Sequence, residues 1–376
     1  VIFTDYEGLN ASDSFHLCLT KKNIYYIMIR IIDRGMNMKK RMLGNTGMEV
    51  SVIGFGGIPI QRVNQEEATK IVLECRDRGI NFIDTARGYT VSEEYIGNAL
   101  KKAGRENFYI ATKAMGYDYE SMKNFIEESL KTMQLDYIDL YQVHNVSKME
   151  QLDTVLSENG ALKALVEAKE KGLIKHIGIT GHIREILLKA IENDEFETVQ
   201  FPFNPVESQG TELFTKALEK GMGTIAMKPI AGGAFGKGKL SLKYIMNSNL
   251  ITVAIPGMDS VSQVAENAAI GIDGEPLTQE EMEEIKKEVE SLGNDFCRRC
   301  GYCKPCPEGI DIPNVFVYEG YAIRYNLPEY GKLKYDGMPV KADACVRCRK
   351  CERKCPYNLH IVDKLKHAVE TFKNLE

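Results

Sequence analysis

Asn81-Phe82-Ile83-Asp84-Thr85-Ala86-Arg87-Gly88-Tyr89 is a short apolar run that stops on a carboxylate, turns, and reaches a tyrosine. A short apolar run bounded by turn residues suits a strand buried on both faces of a parallel sheet. The same design recurs along the chain. Tyr109-Ile110-Ala111-Thr112 runs into Lys113, and Asp139-Leu140-Tyr141-Gln142-Val143 runs into His144. Apolar runs at 52–56, 81–84, 108–112, 138–143, 175–179, 198–201, 224–227 and 251–255 make eight candidate strands. Helical periodicity fills the gaps at 66–78, 93–102, 119–133, 161–171 and 212–220. Gly79, Gly104, Gly172 and Gly221 stand where helices end. Eight alternating units over roughly 250 residues predict an α/β fold, a parallel (β/α)8 TIM barrel. A doubly wound open sheet has the same alternation. A hairpin over 41–50, turning at 44–47, precedes the first strand. A last helix over 278–292 opens on Thr278-x-x-Glu281, a capping box. The barrel is assigned residues 38–292.

The polar residues that close these runs are the chemical candidates. In a parallel barrel the C-terminal strand ends converge on one mouth, where catalysis sits. Asp84, Lys113 and His144 would meet there, with Tyr89 five residues past Asp84. Each has a bland alternative: a helix cap, a rim charge, a core histidine, a packed loop ring. Four on consecutive strand ends is a different matter from one.

In this context Asp84-Thr85-Ala86, Tyr89, Ser92-Glu93, Gly97, Thr112-Lys113 and Tyr141-Gln142-Val143-His144 resemble the catalytic tetrad of the aldo/keto reductase family and its surroundings. The resemblance covers about residues 41–271. It implies reversible hydride transfer between NAD(P)H and an aldehyde or ketone. Tyr89 would be the acid. A tyrosine near pKa 10 is a poor proton donor at neutral pH unless its anion is stabilised. Lys113 would do that, with Asp84 as its counter-charge, and His144 would orient the carbonyl oxygen. The resemblance also implies a nucleotide site built from Gly57, Ile58, Thr180, Gly181, Gln200, Met227, Lys228, Pro229, Ile230, Gly232, Gly233, Gly257, Met258, Gln263, Glu266 and Asn267. Met227 stands where a ring usually stacks on nicotinamide; a thioether packs there too. Gly257 and Gln263 stand where cations usually hold a 2′-phosphate, which leaves NAD and NADP both open. With no Trp in the chain, the substrate pocket must use other residues.

Eight of the ten cysteines fall in two C-terminal runs, Cys297, Cys300, Cys303, Cys306 and Cys345, Cys348, Cys351, Cys355, each followed by Pro. The second run reads C-x2-C-x2-C-x3-C-P, an iron–sulfur ligation pattern whose fourth Cys serves the other cluster. Zinc usually shows two separated C-x2-C pairs. Residues 293–376 are therefore assigned a small, mainly helical two-cluster ferredoxin-like domain with two [4Fe-4S] clusters. Crossed ligation, as in two-cluster ferredoxins, would group Cys297, Cys300, Cys303 and Cys355, and Cys345, Cys348, Cys351 and Cys306. The first run is one residue shorter before its last Cys. Residues 307–344 are longer than such a module needs, and 312–325 reads as helical. Cys75 lies in a helix pattern and reads as core. Hydride carries two electrons and a cluster moves one; no flavin motif joins them. The competing expectation is an electron-transfer or redox-sensing protein whose barrel binds a nucleotide with little carbonyl reductase activity. Its partner would be a ferredoxin or similar carrier.

Hydrophobic content of 44%, charged content of 27% and a net charge of −5 describe an ordinary soluble protein and argue against a nucleic-acid partner. No apolar run reaches the roughly 18 residues of a membrane span. The clustered cysteines fit a reducing, cytoplasmic setting better than a disulfide framework. Residues 1–37 differ from the rest. Met36 and Met38 precede the first regular element, so translation is expected to start there, with the leader outside the fold.

Overall fold

The computed structural model describes residues 37–293, 295–299 and 301–375. Residues 1–36, and with them the expected leader and Cys18, lie outside the described residues, as does Cys300. Residues 38–376 form one compact unit.

The chain opens with an antiparallel hairpin, β1 (Lys40–Met42) and β2 (Glu49–Ser51). Eight parallel strands follow: β3 (Phe55–Gly56), β4 (Phe82–Asp84), β5 (Tyr109–Ala114), β6 (Ile138–Val143), β7 (Ile174–Thr180), β8 (Thr198–Pro202), β9 (Gly223–Met227) and β10 (Val253–Ala254). Their spatial order is their chain order. Parallel bridges Ile53↔Ala254 and Gly56↔Gly257 join the last strand back to the first. That excludes the doubly wound alternative, which would reverse its order partway. The helices pack outside, and their apolar faces meet the strands in a core that includes Ile71, Ile96, Ile126, Leu165, Leu187 and Phe214.

The hairpin plugs the N-terminal end of the barrel. Leu43, Met48 and Val50 pack on Phe82, Ala111, Leu140, Ile225 and Val253 inside it. The fit is close at Gly44 (φ +56°), where an added Cβ would lie 2.3 Å from the Gly223 nitrogen. Only glycine meets both the backbone angle and the space.

Beyond the capped helix Gln279–Leu292 lie helices Ile312–Ile323, Pro328–Asp336, Lys350–Lys354 and Ile361–Lys373. They share a separate core of Ile310, Val315, Phe316, Leu365 and Phe372, with the Tyr335 and Phe372 rings stacked at 4.0 Å. The mainly helical expectation holds. This region docks on the barrel mouth. Arg299 forms an ion pair with Glu207, both side chains almost wholly buried. Arg298 Nε donates to the Val206 carbonyl at 3.1 Å, and Tyr330 Oη donates to the Gly88 carbonyl at 3.1 Å. Among the described residues no helix is long and apolar enough to cross a membrane.

Candidate active site

β4, β5 and β6 each end at the mouth, so their last polar residues face one another. Lys113 Nζ donates to Asp84 Oδ1 at 2.5 Å and to the Thr85 carbonyl at 2.8 Å. Gln142 Nε2 holds the other carboxylate oxygen of Asp84 at 3.2 Å. The Lys113 ammonium lies 5.3 Å from the centre of the Tyr89 ring. Tyr89 and His144 meet edge to face, centroids 6.1 Å apart. All four residues line one cleft of about 340 Å³. Below them Glu93, 1% exposed, accepts from Thr112 Oγ1 at 2.8 Å and pairs with Arg87 at 2.5 Å, fixing the turn that carries Tyr89.

Burial governs the charge states. It pushes the Asp84 carboxyl up and the Lys113 ammonium down, against their mutual attraction. It holds His144 well below the usual histidine range, helped by Lys113 and Lys334, so the ring is neutral. It raises the Tyr89 phenol well above its ordinary value, helped by Asp84 and by Tyr321, Tyr330 and Tyr325. Lys113, 5.3 Å from the centre of the ring, does not reverse this. In this enclosure the Tyr89 phenol stays protonated at neutral pH.

The anticipated nucleotide residues divide. Gly57, Ile58, Thr180, Gln200, Met227, Lys228, Pro229, Ile230, Gly232, Gly233, Gly257 and Gln263 line the same cleft. Gly181 does not; it packs beneath, 2.6 Å from the Val146 carbonyl at its would-be Cβ. The Met258 side chain is fully buried in the barrel core and does not join the cleft lining. Glu266 and Asn267 stand on the helix Val261–Asp273, away from the cleft lining. The residues present fit a dinucleotide. Gln200 Oε1 is buried, has no hydrogen-bond partner among the described residues, and could accept from an amide. Lys228 takes φ +52°, a cost of about 1–2 kcal/mol for a non-glycine. Asn204 Nδ2 holds its carbonyl at 3.0 Å, and its ammonium forms no ion pair among the described residues.

What the sequence did not disclose is the roof. Tyr318 and Tyr321 on the helix Ile312–Ile323, Tyr325 just past it, and Tyr330 and Lys334 on the next helix all line the cleft. Tyr321 packs against Tyr325 and Tyr330 with centroids 5.4 and 5.2 Å apart. Tyr325 lies over Gly232, where an added Cβ would sit 2.9 Å from its hydroxyl. The spacing 318, 321, 325 is one helical face and is the signal that was available. Arg299 and Arg324 also reach the cleft.

The thiols lie behind this roof. Cys306, Cys345, Cys348 and Cys351 line one small cavity with Ile312, Val362 and Leu365, the grouping expected from crossed ligation. Cys303 is buried, and Cys297 and Cys355 half-buried, against the same core. Four thiols in an apolar cradle fit an iron–sulfur cluster. Among the described residues no three His, Cys, Asp or Glu side chains are arranged to hold a single metal ion. Cys75 is fully buried in the barrel core and its thiol is pushed far up by desolvation.

Comparison with known proteins agrees with this geometry. Residues 52–241 match the model of the aldo/keto reductase family, and residues 296–360 that of the 4Fe-4S dicluster domain. L-galactose dehydrogenase of Arabidopsis thaliana is 31% identical over 309 residues, covering 67% of this chain and 95% of that protein. Methylglyoxal reductase DkgA of Escherichia coli is 29% identical over 229 residues, covering 56% of this chain and 81% of that protein. Aldo-keto reductase AKR11C1 from Bacillus halodurans shares the fold with a TM-score of 0.60 at 24% identity, covering 67% of this chain and 96% of that one.

Proposed function

The chain belongs to the aldo/keto reductase family, and on that premise we propose that it moves hydride reversibly between NADH or NADPH and an aldehyde or ketone. The observation that carries this is the buried constellation at the mouth, Asp84, Tyr89, Lys113 and His144 on one cleft. When bound, the nicotinamide supplies hydride to the carbonyl carbon. Tyr89 gives its phenolic proton to the carbonyl oxygen, so one C–H and one O–H bond replace the C=O π bond. Neutral His144 hydrogen-bonds that oxygen and fixes the carbonyl face. Lys113, anchored by Asp84, sits where it steadies the phenolate left behind. Relatives named for L-galactose and methylglyoxal favour small polar substrates. At the adenosine end Gly257 and Gln263 offer no cation, and Asp259 places a carboxylate 2.9 Å from Arg62. A 2′-phosphate wants uncompensated cations, so NADH is expected to serve at least as well as NADPH.

We assign two [4Fe-4S] clusters to the cysteines, on Cys297, Cys300, Cys303 and Cys355 and on Cys306, Cys345, Cys348 and Cys351, in a domain that meets the barrel near residue 292. What supports the second set is its shared cavity. Clusters supply one-electron chemistry. The residues that bear them have a second use here: Cys306 and Cys345 bound the roof segment, and both face that cavity, so ligation there would tie the segment's two ends. A second reading, electron transfer or sensing with a slow barrel and a ferredoxin partner, is favoured by one observation. The helix Ile312–Ile323 joins the two sites: Ile312 lines the cysteine cavity, and Tyr318 and Tyr321 line the cleft. We place the protein in a reducing cytoplasm on its thiols.

Carbonyl-dependent oxidation of NADH and NADPH by anaerobically prepared protein separates the two readings. Iron, sulfide and zinc analysis of the same preparation tests the clusters. Zinc in place of iron and sulfide, or a chain inert toward every aldehyde and ketone, would remove the respective half.

A further inference from the structure

The charges lining the cleft are not balanced. Four of its cations have carboxylate partners: Lys113 with Asp84, Arg62 with Asp259 at 2.9 Å, Lys304 with Asp311 at 3.0 Å, and Arg299 with Glu207. Lys228, Arg324 and Lys334 form no ion pair among the described residues. Two of the three belong to one end. Lys228 and Arg324 bear on Arg299 and on each other's surroundings, beside the Gly232–Gly233 loop. On the carbonyl-reductase reading a dinucleotide's phosphates would account for them. Lys334 belongs to the other end. Its charge bears on His144, and its ammonium lies 5.3 Å from the centre of the Tyr330 ring.

Its own helix offers Lys334 no counter-ion: positions 330, 331, 337 and 338, three or four residues away, are Tyr, Gly, Gly and Met. The nearby carboxylate of Asp336 points to another face, where Lys332 reaches it at 3.0 Å and Lys341 at 2.9 Å. Lys334 instead turns toward the mouth, half-buried, and burial lowers its pKa. A half-buried ammonium without a counter-ion carries a desolvation cost that an anion at the site would offset. The aromatic walls around it, Tyr321 and Tyr330, suit a short carbon chain.

We propose that the substrate is a carbonyl compound bearing a carboxylate a few carbons from its C=O, and that Lys334 of the roof binds that carboxylate while His144 and Tyr89 hold the carbonyl oxygen. The inference rests on the carbonyl-reductase reading and names its substrate class. The roof would then do more than cover the mouth: the cysteine-bearing region would choose what the barrel reduces.

The test compares succinic semialdehyde with butanal, matched in chain length and differing in the carboxylate. Wild type should favour the acid by at least ~10-fold in kcat/KM, the scale of one charge-assisted hydrogen bond. In Lys334→Met the acid-to-neutral ratio should fall close to one, chiefly through KM, while Lys334→Arg keeps most of the preference. A wild-type ratio near one, or a ratio unmoved in Lys334→Met, overturns the proposal. Turnover of butanal alone upholds the carbonyl reading while sinking this one. If neither aldehyde reacts, calorimetric binding of succinate to the NADH-loaded protein still decides. Binding weakened at least ~10-fold in Lys334→Met supports the site, and no binding by wild type overturns it.

Discussion

The mouth of the barrel and the roof above it reach the same cleft by different routes. Asp84, Lys113 and His144 arrive by strand register: each ends or immediately follows an apolar run, and the parallel barrel turns three strand ends into one site. Tyr321, Tyr325, Tyr330 and Lys334 arrive by docking. They come from a helical region with its own core, held by the Arg299–Glu207 pair and by a hydrogen bond from Tyr330 to Gly88. On the proposed reading the mouth would supply the chemistry, and the roof encloses it and adds the charge of Lys334. The difference teaches that a motif set on strand ends can point to a reaction while leaving the pocket to a part of the chain read for something else, here metal binding.

Substitutions should separate the two regions. The largest effect belongs to the mouth. Tyr89→Phe removes the proton donor and should lower kcat for carbonyl reduction by ~10²–10⁴-fold with nucleotide affinity retained, measured by steady-state kinetics and fluorescence titration. Equal loss of nucleotide binding would mean the ring acts in packing instead. Next is the clasp between the regions. Glu207→Ala leaves the Arg299 guanidinium buried and unpaired and should cost about 3–5 kcal/mol in denaturant-induced unfolding. A change under 1 kcal/mol would place the docking energy elsewhere.

Loss of the clusters should act on the roof before it acts on the barrel. With Cys345→Ser and Cys348→Ser combined, residues 307–344 should become the first site of limited proteolysis, and KM for the carbonyl should rise more than kcat falls. Unchanged cleavage would show that the roof stands without ligation. The smallest effect is Tyr330→Phe, which deletes one hydrogen bond to Gly88, about 1 kcal/mol or some fivefold in KM.

The pH profile sharpens the same contrast. Tyr89 is a competent acid below its pKa, which burial raises above 10.0, and His144 is neutral above its own, which burial lowers below 6.5. Carbonyl reduction should therefore be flat from pH 6.5 to 10.0, apart from substrate ionisation. An inflection near neutrality would mean that the enclosure is looser than the packed tyrosines imply.

How much was legible follows from the same division. The eight strands carry a local signal, an apolar run, and Asp84, Lys113 and His144 are the polar residues at its end; the structure keeps the strands and brings these three with Tyr89 to one cleft. Met258 shows the limit: a family position names a residue, not the direction of its side chain, and this one turns into the core. Tyr330 meets Gly88 across 242 residues, and no periodicity announces a contact of that span. Arg299 sits between cysteines and reads as a surface charge beside ligands; its partner Glu207 lies on a barrel loop. The tyrosine face at 318, 321 and 325 was visible as a stripe, but a stripe does not say what it covers.

The most direct test of the division of labour is turnover by the intact, anaerobically prepared protein given only nucleotide and an aldehyde. With chemistry confined to the mouth, nucleotide should be oxidised one for one with alcohol formed, and no one-electron donor should be needed. Turnover that waits on a reduced one-electron carrier would contradict it.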